Sequence, residues 1–216
     1  MPLLLHDPVA HWLVVAAGVA VFVGEVAVTY LGRARDGKRP FLGSLADSLM
    51  LHMRGRGAAM RRDRGTRLIV GLAVYLSIAA ALAIARVPGL GLYANSWWTF
   101  GLGVAIVLAG AVLRDWAILS LGRYFRREVT IEPGQRIVRR GPYRVLRHPS
   151  YTGIFLILGG FGLAFGSWVS AAVASLIAVV GMLPRIWVEE RALAQAFDAD
   201  YTDYANSTAR LLPHVW

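Results

Sequence analysis

The sequence predicts an all-α integral membrane protein with about five transmembrane helices, its N-terminus outside and a C-terminal amphipathic helix in the cytosol. Three observations carry this. Of its 216 residues 56% are hydrophobic and only 17% charged, against about 25% charged in ordinary soluble domains. Residues 9–31, 68–87 and 97–121 are apolar for the ~20 residues a spanning helix needs, and residues 151–183 carry no charge at all. The formal charge of +10 is concentrated in two places, with ten Lys and Arg between Arg33 and Arg67 and eight between Arg123 and Arg147. Basic loops between apolar spans sort to the cytoplasmic side. Both basic loops and the C-terminal helix are therefore expected inside, and the uncharged connections outside. Charge placed this way is explained by topology, so no nucleic-acid partner is expected.

The length fits a single membrane domain, 1–216. Residues 1–121 hold three spans and the first basic loop. Residues 122–216 hold a ligand-binding loop, a helical hairpin and the C-terminal helix. The first span lacks the basic leading region of a signal peptide and is long for one, so it is expected to be retained. Trp12 and Tyr30 lie near its ends, where amphipathic rings favour the interface. Glu25 lies inside it; an acid there faces the protein interior, either hydrogen-bonded to a neighbouring helix or touching a substrate or proton. In the first basic loop Leu45, Leu49 and Met53 recur at helical spacing ahead of Arg54, Arg56, Arg61 and Arg62. That pattern fits an amphipathic helix on an anionic leaflet, or equally a loosely ordered linker.

Trp97 and Trp98 open the third span, and Arg114 near its end can snorkel to the interface. In the second basic loop Val129-Thr130-Ile131 and Arg136-Ile137-Val138 flank Glu132-Pro133-Gly134-Gln135, the pattern of a small hairpin or extended loop. Residues 151–183 would make a helix of about 50 Å, too long for one crossing of a ~30 Å hydrocarbon core. They should break into two spans with a turn at Gly166-Ser167, and Gly159, Gly160 and Gly162 would let these two helices approach closely. Pro184 is expected to kink the fifth span or free a carbonyl. Beyond it, Leu193, Phe197, Tyr201 and Tyr204 form an amphipathic helical pattern.

Several chemistries are excluded. There is no Cys, hence no disulfide, Fe–S cluster, Cys-ligated zinc or thiol nucleophile. No dinucleotide-binding glycine motif, P-loop or Gly-x-Ser-x-Gly elbow occurs. His6, His11, His52, His148 and His214 have no metal-ligand spacing, so no metal is expected.

What remains is one polar constellation. Tyr143, Arg144, Arg147, His148 and Tyr151 stand at the mouth of the uncharged run, and Arg185, Glu189 and Glu190 follow it. Arg185 and Glu189 are spaced i, i+4 and share a helix face. The tight turn makes the fourth and fifth spans antiparallel neighbours, so both halves should meet on the cytosolic side. Carboxylates beside tyrosines and a histidine suit a ligand with a positive charge, hydroxyls and an aromatic base. The arginine suits an anionic second ligand. Each residue also has a plainer explanation. Arg144 and Arg147 could face lipid headgroups, Tyr143 and Tyr151 could be interfacial aromatics, and Arg185–Glu189 could be a helix ion pair worth a few tenths of a kcal/mol. Taken together on adjacent helix ends, they read as a binding site.

Gly141-Pro142-Tyr143-Arg144, then Arg147-His148-Pro149-Ser150-Tyr151-Thr152-Gly153, then Glu189-Glu190 after an uncharged hairpin, resemble the isoprenylcysteine carboxyl methyltransferase family. The wider superfamily includes membrane phospholipid N-methyltransferases. The tail Phe197, Tyr201, Tyr204, Arg210, Pro213 is similar too, and the likeness covers about residues 114–213. It implies a cytosol-facing S-adenosylmethionine pocket without a Rossmann fold and a lipid-like, carboxylate-bearing, prenylated acceptor, with no obligate protein partner. The residues it implies for the cofactor are Gln135, Arg136, Ile137, Val138, Tyr143, His148, Pro149, Ser150, Tyr151, Glu189 and Glu190. Arg185 would hold the acceptor carboxylate. The sequence departs from the family at Asp198, where Gly is frequent. A phospholipid N-methyltransferase, or an NADPH-dependent membrane reductase of the steroid 5α-reductase type, are the alternative activities.

Overall fold

The computed structural model describes residues 7–35, 65–87, 97–125 and 135–213. These form five helices: α1 (Pro8–Arg35), α2 (Thr66–Arg86), α3 (Trp97–Leu121), α4 (Pro149–Ala164) and α5 (Trp168–Ser207). Short 3₁₀ turns occupy Gly122–Tyr124 and Gly141–Arg144. Leu68–Arg86, Trp97–Leu121 and Trp168–Ser207 are long and apolar enough to cross a membrane, while the apolar stretches Pro8–Gly24 and Pro149–Ala164 are shorter. Residues 36–64, the middle of the first basic loop with its expected amphipathic helix, lie outside the described residues. So do residues 129–134 of the expected hairpin and the side chain of Glu25.

Local chemistry sets the helix starts. Asp7 Oδ1 accepts from the Val9 N–H at 2.8 Å, an N-cap for α1. Ser167 Oγ accepts from the Ser170 N–H at 3.2 Å and caps α5. α4 opens with Pro149, whose missing N–H costs nothing in a first turn. The turn falls where the sequence puts it: α4 ends at Ala164, Gly166 takes φ 85°, and Ser167 begins α5.

In space the main contacts run α1 on α3, α3 on α4, α4 on α5 and α5 on α2. α4 is antiparallel to both its neighbours. Arg114, near the end of α3, meets Ser150 at the start of α4, while Gly103 lies against Ala164 at its end. Glycines make the α3–α4 contact close. A Cβ at Gly110 would stand 2.7 Å from the Gly153 carbonyl oxygen, and one at Gly160 would stand 2.8 Å from the Gly103 carbonyl oxygen. Of the three glycines expected between α4 and α5, Gly159 and Gly162 do face α5, against Ser175 and Ala171. Gly160 instead faces α3, because successive residues of a helix turn by about 100°.

α2 and α5 are joined by buried hydroxyls. Ser77 Oγ donates to Ala174 O at 3.0 Å and Ser170 Oγ donates to Ala81 O at 3.0 Å. In a bilayer such groups need an internal partner. The outer surface is apolar, with Phe22, Leu72, Tyr75, Val112 and Leu176 more than 60% exposed. Exposed tryptophans bracket it. Trp98 and Trp116 on α3 are separated by about 27 Å along the helix, and Trp168 and Trp187 on α5 by about 28 Å. Both spacings match a ~30 Å hydrocarbon core with aromatic belts. Since α3 and α5 run the same way, Trp116 and Trp187 mark one common boundary.

α5 is 40 residues long, about 60 Å, and continues past that boundary. Pro184 lies inside it without breaking the helix; the break is at Asp198, with φ 42° and ψ −112°. The proline removes one donor, leaving Val180 O without its usual i+4 partner. The C-terminal stretch is thus the continuation of the fifth helix, with Tyr201 and Tyr204 buried and Leu193 and Phe197 half-buried.

Candidate functional site

The site lies at the end of the α4–α5 hairpin, level with Trp187. Three segments converge there: the loop 141–148, the second half of α5, and the tail 208–211. Gly141 takes φ 58° and its missing side chain faces Ser120 Oγ, so only glycine fits. Beside it Arg140 Nε donates to Ser120 O at 3.0 Å, satisfying a carbonyl in the last turn of α3. The turn delivers Tyr143 into the interior, 7% exposed. Burial first, and then the nearby Tyr204 and Glu189, push the Tyr143 hydroxyl far above the usual tyrosine range, so it stays protonated.

The tail then straps the loop in place. Leu146 and Ala209 form a parallel bridge. Ala209 N–H donates to Val145 O at 2.9 Å, Arg147 N–H to Ala209 O at 2.8 Å, and His148 N–H to Arg210 O at 3.1 Å. Thr152 Oγ1 donates to Leu211 O at 2.7 Å, and Leu211 packs with Met182 and Ile186. Tyr204 OH reaches the Tyr143 and Leu146 carbonyls at 3.0 and 3.3 Å. A loop without regular structure is thereby held from both sides.

Two carboxylates from α5 enter this frame. Glu189 Oε1 accepts from Arg185 Nε at 2.8 Å and from Tyr151 OH at 2.7 Å, and Arg185 Nε is also 3.3 Å from Tyr151 OH. Glu189 Oε2 is 3.6 Å from His148 Nδ1, beyond normal hydrogen-bond length. Glu190 is gripped by Arg210, with Nε 3.0 Å from Oε1 and Nη2 2.9 Å from Oε2. Glu190 Oε1 is also 3.3 Å from His148 Nε2 and 3.2 Å from Arg147 Nε; the latter contact is out of line for a hydrogen bond. Arg147 Nη1 donates to Ala205 O instead. Arg185 is only 4% exposed. A buried guanidinium is tolerable only with its carboxylate in place, and removing one partner of such a pair costs about 3–5 kcal/mol.

Tyr143, His148, Pro149, Ser150, Tyr151, Arg185, Glu189 and Glu190 are therefore brought together. Within the set, Ser150 Oγ is taken by Arg114 Nη1 at 2.6 Å, so Arg114 is a tie between α3 and α4. Gln135, Arg136, Ile137 and Val138 are irregular chain; Arg136 is exposed and the other three half-buried. Arg144, grouped with the site from its sequence neighbourhood, is exposed at the rim. Among the described residues no group of His, Asp and Glu could hold a metal. Arg210 and Tyr204 were not among the expected constellation. Their link to it depends on the tail folding back, and no local pattern announces that.

Apolar helices with exposed tryptophan girdles, and a buried cluster of acids, arginines, tyrosines and a histidine at one end, define the class: an integral membrane enzyme with its site at the boundary of the bilayer. Residues 103–195 match the isoprenylcysteine carboxyl methyltransferase (ICMT) family. The protein-S-isoprenylcysteine O-methyltransferases A and B of Arabidopsis thaliana are 33% and 31% identical over 147 residues, 67% of this chain and 73% of each relative. The chain belongs to the isoprenylcysteine carboxyl methyltransferase family and is a membrane methyltransferase. An uncharacterized protein of Bacillus subtilis (strain 168) is 32% identical over 102 residues, 47% of this chain and 59% of the relative. The solved structure of the eukaryotic intramembrane Ras methyltransferase ICMT superimposes with a TM-score of 0.61 at 20% identity, over 99% of this chain and 70% of that one; the fold is shared.

Proposed function

We propose that the protein methylates the carboxylate of a lipid-tailed acceptor, of the prenylated-cysteine class, using S-adenosylmethionine bound at the cytosolic end of the α4–α5 hairpin. The observation that carries this is the division of the cluster. Tyr151, His148 and Glu189 face each other across the hairpin, and Arg185 stands one helical turn before Glu189. The donor set fits the cofactor. Glu189 Oε2 lies 3.6 Å from His148 Nδ1, beyond hydrogen-bond length, and can accept from a cationic ligand. Tyr143, His148 and Tyr151 offer hydroxyls and rings for its hydroxyls and base. Residues 135–138 would close the pocket over it, with Pro149 and Ser150 forming its floor.

The cofactor supplies a methyl group already activated on a sulfonium, so the protein's work is to position and to exclude water. Arg185 would hold the acceptor carboxylate, for which guanidinium is suited. A carboxylate oxygen is nucleophilic without a general base, in keeping with a site where no base need be assigned. The lipid tail would enter sideways between helices, since the site lies level with Trp187 at the apolar boundary. The concentration of Lys and Arg in residues 33–67 and 123–147 supports five spans with the N-terminus outside and the site in the cytosol.

The test is calorimetry of the detergent-solubilised protein with S-adenosylhomocysteine, followed by transfer of a labelled methyl to a prenylated cysteine. Saturable binding, insensitive to NADPH, and label in the cysteine ester support the proposal. A folded sample that binds NADPH and not S-adenosylhomocysteine would overturn it. Label appearing only in phospholipid amines would move the acceptor to another class.

A further inference from the structure

We infer, resting on the assignment of His148 to the cofactor pocket, that Glu190 and Arg210 are positioning residues that set the ring orientation and protonated nitrogen of His148. Arg210 grips both oxygens of Glu190, at 3.0 and 2.9 Å. This two-point fork fixes the plane of the carboxylate, not only its distance. The same Oε1 lies 3.3 Å from His148 Nε2. A carboxylate only accepts, so Nε2 is the nitrogen that carries hydrogen. The backbone N–H of His148 meanwhile donates to the carbonyl of Arg210 itself, at 3.1 Å. Arg210 thus reaches His148 twice, directly through the main chain and indirectly through Glu190.

The result is a closed ring of contacts linking tail, α5 and the start of α4. With Nε2 held by Glu190, Nδ1 is turned towards Glu189. Two adjacent glutamates of one helix accordingly do different work. Glu189 faces the ligand side with Tyr151 and Arg185, while Glu190 is spent inward on Arg210, Arg147 and His148. Glu190 thus acts through His148, in place of the direct cofactor contact that the family resemblance implies for it. Ordering of this kind matters because the backbone at His148 is outside the helix, with φ −125° and ψ 55°, so helix geometry does not orient its ring.

The test uses the full chain in detergent with ¹⁵N-labelled histidine, the His148 signals being assigned with a His148→Asn control. The wild type should show the Nε2–H form. Glu190→Gln and Arg210→Gln should move the signals towards a mixture of ring tautomers and weaken S-adenosylhomocysteine binding roughly ten-fold. Arg210→Lys should keep the Nε2–H signature and recover part of the affinity. An Nδ1–H signature in the wild type, or unchanged His148 signals in both glutamine variants, overturns the proposal. Signals that move while affinity stays constant overturn the link to the cofactor pocket. If the wild type shows the stated signature and its response but binds no S-adenosylhomocysteine, the positioning role stands and the cofactor assignment falls.

Discussion

Tyr151 and Glu189, 38 residues apart on antiparallel helices, share a 2.7 Å hydrogen bond in which the phenol donates to the carboxylate. The bond crosses the hairpin at the end remote from its turn, where the two helices could otherwise splay. It ties the helix that opens just after His148 to the helix that carries Arg185. Tyr151→Phe removes the hydroxyl alone, which donates to Glu189 and accepts from Arg185 Nε at 3.3 Å. Hydrogen bonds to charged groups contribute about 1.5–3 kcal/mol, so S-adenosylhomocysteine affinity, measured by calorimetry, should fall by an order of magnitude or more while the protein stays folded. Unchanged affinity would show that the hydroxyl does not organise Glu189.

Gly110 and Gly153 meet backbone to backbone between α3 and α4. Gly110→Ala puts a methyl 2.7 Å from the Gly153 carbonyl oxygen, and overpacking of that sort costs about 1–3 kcal/mol. Thermal unfolding in detergent should show a lowered midpoint. Gly71→Ala, where the added methyl meets nothing within 4 Å, is the control and should leave the midpoint in place.

Asp198 holds φ 42° within α5, a conformation that L side chains rarely adopt and glycine adopts freely. Strain at such positions is on the order of 1–3 kcal/mol. Asp198→Gly should therefore raise the unfolding midpoint, and Asp198→Ala should not. The Thr202 hydroxyl bonds the Asp198 carbonyl, which both substitutions retain, so the comparison isolates the backbone.

Tyr201 is 7% exposed and its hydroxyl has no hydrogen-bond partner among the described residues. A buried polar group left unpaired costs about 1–3 kcal/mol. Tyr201→Phe removes it with little change of shape, and the unfolding midpoint of the ligand-free protein should rise or hold. A clear fall would mean that the hydroxyl is paired in solution, by water or by a neighbouring chain segment.

Features set by local pattern were legible in the sequence. The turn at Gly166-Ser167 follows from the length of the uncharged run and a glycine, and the Arg185–Glu189 pair follows from i, i+4 spacing. The start of α4 with Tyr151 and the part of α5 with both glutamates were likewise expected side by side, because one short turn forces antiparallel neighbours. Features set by long-range return were not legible. Arg210 joins the cluster because residues 208–211 fold back along residues 145–148, and no periodicity encodes that. Gly160 was read against α5 and packs on α3, because the pattern of an all-apolar helix does not say which face meets which neighbour. Pro184 was expected to kink the helix or free a carbonyl, and it leaves Val180 O without its usual partner; the break itself falls at Asp198, whose side chain gives no such signal on its own.

The central claim is a divided site, with Glu189 serving the cofactor and Arg185 the acceptor. It is tested most directly by measuring S-adenosylhomocysteine affinity and methyl transfer to a prenylated cysteine side by side for Glu189→Ala and Arg185→Ala. Glu189→Ala should lose cofactor affinity. Arg185→Ala takes one donor from Glu189 Oε1 and should cost cofactor affinity less than Glu189→Ala does, but it should lose methyl transfer, with the acceptor KM raised. Full methyl transfer in both variants, or equal loss of cofactor affinity in both with acceptor KM unchanged, would contradict the division.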